Sequence, residues 1–429
     1  MGIICLNEIE KNKNTIKFKY NVSKDLEKYF TNKDFLIEYP ENIEKVPNAV
    51  AAIPFVCNVL PIIWLTNSIL EIDELDNSFY NSISEFKKGY EKLYPEADFL
   101  GEIRVKKLVD NRYTDTGKCA LFYSGGLDSA QTLVSHLSEN PDLLSIWGSD
   151  VRFDNEVGWK NAHNVINEVA EQFCLKESVF RSTFREFDKE WVLEKDFYSV
   201  LGDGWWHGVK HSIGLLGHVA PYAYIHKISK MYIAATNSPE DGLVKCASSP
   251  YIDNFVRFAS CKVIHDGFEF NRQNKAHNIV EFCKNNNIKL NIHACWESDT
   301  GNNCCHCEKC YRTISNFWVE GADPKGYGFD DYEKNIDNFE KYILSISNHT
   351  SIRKNLKEYW VHIRATANNN KRLLKTMPHY KEFKWLLTAD FEHPEKLKMK
   401  MPINYRIRNW LSNFKFYQKL HDIKTKNTK

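Results

Sequence analysis

The spacing of apolar and polar positions changes character twice along the chain. Residues 15–20 and 35–39 alternate apolar and polar side chains, with turn-forming residues between them, and predict two strands; 69–72 predicts another. Across 78–93 the residues Phe79, Ile83, Phe86 and Tyr90 fall at helical spacing, and Pro95 marks the stop. The most apolar run, 49–65, is 17 residues long and interrupted by Pro54, Asn58 and Pro61. That is too short and too broken for a membrane span, so it predicts a buried core segment. Residues 110–118 are polar and read as a linker.

At residue 119 a second rhythm begins. Short apolar runs at 119–123, 143–147, 178–181, 231–235 and 289–293 predict strands. Between them lie helical patterns at 129–138 (stopped by Asn140-Pro141), 159–173, 208–228 and 275–285. Strands alternating with helices predict a parallel, doubly wound α/β sheet, whose ligands bind at the carboxyl ends of its strands. From 316 onward the chain is helical and aromatic-rich, with candidate helices at 331–346, 351–366 and 381–387, and 424–429 is expected to be disordered. The expected organisation is an α+β accessory domain over 1–112, an α/β domain over 113–318 and a helical extension over 319–429.

The string Ser124-Gly125-Gly126-Leu127-Asp128-Ser129 follows the first strand of the α/β region directly. Two glycines let backbone N–H groups approach an anion closely. The helix that follows points its positive end at the same place. Ser124 and Ser129 add hydroxyl donors. Asp128 would repel a bare phosphate, which implies a magnesium ion between the two. The competing reading is an ordinary glycine-rich turn.

Of 12 cysteines, five crowd into residues 295–310. Cys295, Cys304, Cys307 and Cys310 have the spacing that wraps one Zn²⁺ tetrahedrally, and with four protein ligands the ion would be structural. His306 replacing a cysteine, an iron–sulfur cluster and redox-active thiols are the alternatives. Metal binding fits better than disulfides, and a cytoplasmic setting is expected, because Glu8 and Glu10 interrupt the N-terminus before any apolar run. The net charge of +1 announces no nucleic acid. Charge is uneven, however: residues 1–110 carry 14 Lys+Arg against 18 Asp+Glu, and residues 370–429 carry 15 against 5. The basic tail reads as a solvated surface or as a contact for RNA, anionic lipid or an acidic partner.

The Ser124–Ser129 string resembles the PP-loop of the ATP pyrophosphatase superfamily. Together with the cysteine spacing it resembles most the 7-cyano-7-deazaguanine synthase (QueC) family, over about residues 117–318. The resemblance implies an adenine nucleotide alpha hydrolase-like fold and a zinc knuckle. It also implies Mg²⁺-dependent cleavage of ATP to AMP and pyrophosphate, with adenylation of a carboxylate or amide and attack by ammonia or an amine. The product would be an amide, a nitrile or a conjugate, on a deazaguanine-like compound, another small molecule or a protein. Ser124, Gly125, Gly126, Leu127, Asp128 and Ser129 would then hold the nucleotide, and Lys275 and Arg272 would neutralise charge growing at the α-phosphate. Tyr251 and Asp253 match part of the family's substrate loop. The family's Gly-Arg-Asn string appears here as Gly204-Trp-Trp-His207, and its members lack the flanks 1–110 and 320–429. A homodimer or a place in a larger system fits the resemblance.

Other residues carry paired readings. Asp241 either helps hold magnesium and pyrophosphate or belongs to a Pro-Glu-Asp-Gly turn. His207, with His211 four residues on, contacts substrate, acts as a base for an incoming amine, binds a second metal, or is structural. Trp205 and Trp206 stack on a planar substrate or belong to the core, and Asp150 is a ribose or adenine contact or a turn acid. Two other functions compete with a C–N synthase: a tRNA-modifying thiolase, and a nucleotide-binding subunit without turnover in a multi-protein (for example defence) system.

Overall fold

The computed structural model describes residues 1–295, 297, 302–347, 354 and 356–397. The expected disorder at 424–429, most of the basic tail and the start of the 351–366 helix lie outside them. Among the described residues, those of 1–317 with 322–330 form one compact unit, and those of 318–321 with 331–397 form a second.

The first unit is built on one sheet of eleven strands: β1 (Ile3–Asn12), β2 (Thr15–Val22), β3 (Phe35–Glu38), β4 (Ile69–Asp76), β5 (Glu102–Val109), β6 (Cys119–Phe122), β7 (Asp142–Trp147), β8 (Glu177–Ser182), β9 (Lys230–Ala234), β10 (Arg257–Phe258) and β11 (Cys261–Asp266). Their spatial order is β10-β11-β9-β6-β7-β8-β3-β2-β1-β4-β5. The run β11-β9-β6-β7-β8 is parallel throughout, as are β1-β4-β5. The two runs meet through the antiparallel strands β2 and β3, with Ile37 opposite Ser182 and Glu38 opposite Arg181. The protein is thus α/β with a large, mostly parallel central sheet. The boundary expected at 112/113 falls between β5 and β6 of this continuous sheet, and one hydrophobic core runs from Ile4 to Val263.

The 49–65 run becomes two buried helices, α1 (Asn48–Ala51) and α2 (Ile53–Leu65). A helix apolar all round is stable only inside a core. Pro61 removes one helical N–H, and the buried Asn58 donates through Nδ2 to the Pro54 carbonyl at 2.9 Å. Further helices are α3 (Asn77–Leu93), α4 (Leu127–His136), α5 (Glu156–Gln172), α6 (Glu190–Leu201), α7 (His211–His226), α8 (Pro250–Asp253), α9 (Arg272–Asn286) and α10 (Glu308–Val319). α4 packs on α9, α2 on α7, and α3 on α8. Among the described residues no helix is long and apolar enough to cross a membrane.

One expected strand is absent. Residues 289–293 are irregular, because their backbone groups serve loops instead: Ile292 N donates to Tyr327 O (3.1 Å) and His293 N to Gly125 O (2.7 Å). In the second unit the expected 331–346 helix is broken into short turns before α11 (Phe339–Ile346), and Val361–Asn369 follows a π-helical turn, Leu356–Trp360. Its core is aromatic: Trp318 stacks on Phe383 with centroids 4.4 Å apart, and Phe339, Trp360, Trp385 and Phe391 complete the cluster.

Candidate functional site

β6 delivers the chain to the Ser124–Ser129 turn at the carboxyl edge of the parallel run. Gly125 adopts φ +74°, a left-handed conformation that favours glycine. Gly126 is extended and immediately precedes α4. Among the described residues no side chain caps the first turn of α4, so the N–H groups of Leu127 and Asp128 keep their donor capacity. The two hydroxyls shape the turn: Ser129 Oγ donates to Gly126 O (3.0 Å), Gly126 N donates to Ser124 Oγ (3.4 Å), and the two oxygens are 3.3 Å apart. Helix α4 starts two residues earlier than the sequence pattern implied, which puts Leu127 and Asp128 in its first turn.

α9 crosses beside this turn and brings two cations to it. Arg272 Nη1 lies 3.1 Å from Asp128 Oδ2, and Lys275 Nζ lies 3.3 Å from Oδ1. Lys275 also donates to the Ala235 carbonyl at the end of β9 (2.5 Å), and Arg272 Nη2 donates to Thr313 Oγ1 (3.3 Å). Burial alone would push the Asp128 carboxyl up. Lys275 and Arg272 overcome it and hold Asp128 below the usual carboxylate range. Lys309, from α10, joins the cluster: burial and then the neighbouring Arg272 and Arg312 lower it, while Asp150 and Asp128 oppose them. Sequence reasoning missed Lys309, whose only mark in the sequence is a lysine wedged between two cysteines.

Cys295, Cys304, Cys307 and Cys310 converge with all four sulfurs within 4.8 Å of one another. Cys295 and Cys307 are 4.0 Å apart, and Cys304 and Cys310 3.8 Å. A tetrahedron with Zn–S bonds of about 2.3 Å requires S···S separations of about 3.8 Å, so the four thiols fit a metal ion such as zinc. Cys305 turns away in a left-handed conformation, and the exposed His306 directs Nδ1 at the Cys304 carbonyl (2.7 Å). Asn303 clamps the arm leading to Cys295: its Oδ1 accepts from Ala294 N and Cys295 N, and its Nδ2 donates to Ile292 O and Gly328 O. The next residue of that arm, His293, donates its N–H to Gly125 O, so the cysteine cluster is fastened to the glycine turn.

The remaining predicted residues have other partners. Asp241 Oδ2 accepts from Ser238 N (2.6 Å) and Ser238 Oγ (3.0 Å), the capping box of a single turn. Asp253 is fully buried and accepts from His265 Nδ1 (2.8 Å), and Tyr251 lies beneath Lys92 with Nζ 3.5 Å from its ring centre. Both contacts dock α8. Trp205 is fully buried in the core, whereas Trp206 stands edge-on to His211. His207 is half-exposed on a π-helical turn, Trp206–Lys210, with Nδ1 2.5 Å from Asp203 Oδ2. No family model matches the chain, and no curated protein matches it. What the geometry offers is an uncapped helix start, a glycine turn and a group of cations around one acid, tied to a cysteine cluster suited to a metal.

Proposed function

We propose that the chain is an ATP-using C–N synthase of the PP-loop kind, with an adenine nucleotide alpha hydrolase-like core over residues 113–318. One observation carries the reading: Arg272 and Lys275 both grip Asp128, with Lys309 close by, in the first turn of a helix that no side chain among the described residues caps. A site with that balance favours a polyanion bearing a divalent cation. The N–H groups of Leu127 and Asp128 would hold the outer phosphates of ATP, Gly125 and Gly126 would let them approach, and Asp128 would hold Mg²⁺. Bound there, ATP supplies an adenylyl group to a carboxylate or amide oxygen, and pyrophosphate leaves. Lys275 and Arg272 stabilise the charge that builds on the oxygens around the attacked phosphorus. A nitrogen nucleophile then displaces AMP, giving an amide, a nitrile or a conjugate. The four cysteines hold zinc in a structural role and keep the arm at His293 against Gly125.

The test is product analysis. Purified protein, incubated with Mg·ATP, ammonium and a panel of carboxylic acids that includes 7-carboxy-7-deazaguanine, should yield AMP and pyrophosphate. ADP and phosphate in their place reject adenylation. A thiolase is disfavoured because the cysteines with motif spacing are grouped as one metal set.

A further inference from the structure

A second group of reactive side chains stands at the same edge of the sheet. α7 leads into β9 and runs opposite to it, so the start of α7 lies at the carboxyl edge of the parallel strands, the edge that carries the Gly125–Gly126 turn. The loop leaving β9 returns across that start. Ala247 N donates to His207 O (3.0 Å) and Ser212 Oγ donates to Ala247 O (2.7 Å). These bonds bring Cys246 against His207 and His211, which lie one turn apart. Asp203 accepts from His207 Nδ1, so an acid orients one of the two imidazoles whose field acts on the thiol. His211 faces the same sulfur, and its buried Nδ1 has no hydrogen-bond partner among the described residues. Nothing in the adenylation chemistry or in the cysteine cluster uses these four residues.

We propose that Cys246 is a nucleophilic thiolate that accepts an acyl group from an activated carboxyl compound and passes it to a nitrogen nucleophile. Burial would push the thiol up, but His207 and then His211 pull it down to about 6, while the hydrogen bond to Asp203 and then the thiolate raise His207 to about 10. Both shifts favour the thiolate–imidazolium pair over the neutral one. In the first step sulfur forms a C–S bond to the acyl carbon, and the bond from that carbon to the leaving oxygen breaks, with its electron pair departing on the leaving group. In the second step an amine forms a C–N bond, the C–S bond breaks and returns its pair to sulfur, and the surplus amine proton passes to His211. No oxidant or reductant is required. That the first leaving group is AMP rests on the adenylation reading above.

Two probes test the thiolate without ATP. Full-length protein treated with iodoacetamide at pH 7 and digested for mass spectrometry should be alkylated at Cys246 about tenfold faster than at the exposed Cys174. His207→Gln should cut the Cys246 rate at least tenfold; if that variant fails to fold by circular dichroism, Asp203→Asn should cut it by a smaller factor. With p-nitrophenyl acetate, Cys246 should carry an acetyl group that neutral hydroxylamine removes. Cys246 reacting no faster than Cys174, rates unmoved by the His207 and Asp203 changes, or no acetyl-thioester would each overturn the proposal. A protein that labels at Cys246 but forms no AMP keeps the nucleophile and loses adenylation. One that forms AMP but does not label loses the nucleophile alone.

Discussion

Two buried ion clusters in the first unit look alike in composition and differ in balance. In one, Lys210, fully buried, meets Asp188 at 2.7 Å, Glu190 at 3.3 Å and the Phe184 carbonyl at 2.8 Å, while Arg185 grips Glu190 with contacts of 2.7 and 3.1 Å. Two cations face two carboxylates, so the charges cancel and in that sense the set is closed. In the other, Arg272 and Lys275 meet Asp128 and Arg312 meets Glu308, with Lys309 and the exposed Asp150 beside them, and among the described residues the cations outnumber the acids. A balanced buried set holds two segments together, here the 184–190 loop and the turn before α7. The proposed function asks the second, open set, at the start of α4, to keep attraction for an anion from outside.

The sharpest break of this comparison is to remove one cation from each cluster. Lys210→Ala leaves Asp188 and Glu190 without their buried partner and should cost about 3–5 kcal/mol in urea unfolding. A loss under about 1 kcal/mol would show that the closed set is not structural in this sense. Lys275→Ala should instead lower AMP formation by roughly 10²–10³-fold, about 2.7–4 kcal/mol of transition-state stabilisation. Its unfolding free energy should fall by less than that of Lys210→Ala, because Asp128 keeps Arg272. If the two variants lose stability equally and Lys275→Ala turns over normally, the distinction between the clusters collapses.

The cysteine cluster sharpens the same contrast, because its arm is bonded to the turn of the open site: His293 donates to Gly125. Stripping metal with a chelator, or Cys304→Ser, should weaken Mg·ATP binding by roughly tenfold or more, read by calorimetry. The Lys210 set should keep its role, seen as an unchanged cost of Lys210→Ala in the metal-free protein. Equal nucleotide affinity with and without metal would cut the link between knuckle and turn.

What the sequence disclosed follows the same physics. β6 and the glycine turn were legible because a strand buried on both faces is a plain apolar run, and φ +74° at Gly125 favours glycine. β5 was missed because none of its residues is buried, and β1 because its second half carries charge into solvent. The strand read at 289–293 was wrong for a related reason: its apolar residues are buried, but its N–H groups serve Tyr327 and Gly125 rather than a ladder. Lys275 and Arg272 were singled out in advance, yet their meeting with Asp128 depends on α9 packing on α4, which no local pattern encodes. Cys246 and His207 lie far apart in sequence and are brought together by the backbone bond from Ala247 N to His207 O, so the pair was invisible. Asp241 showed its turn chemistry openly, and the capping box is what it makes.

The smallest effect probes the closed cluster through a neighbour. His218 is fully buried, donates from Nδ1 to Gly214 O (2.7 Å) and accepts at Nε2 from the Ser182 hydroxyl (2.9 Å). Burial, and behind it the Lys210 charge, lower it to about 3, so the folded protein keeps it neutral. Unfolded, it takes up a proton near pH 6.5. Its contribution to stability is therefore complete above pH 6.5 and is lost as pH falls toward 3, at about 1.4 kcal/mol per pH unit. His207, raised to about 10, has the opposite sign: its stabilisation is complete below pH 6.5 and fades as pH climbs toward 10, so it adds no slope on the acid side. Denaturant unfolding of wild type and His218→Gln between pH 4.5 and 6 should give slopes that differ by about that amount, with the variant flatter. His226, which burial also lowers, is common to both proteins and cancels in the difference. Equal slopes would mean that His218 is protonated in the folded state beside Lys210, and the closed set would then carry the very surplus of positive charge that distinguishes the open one.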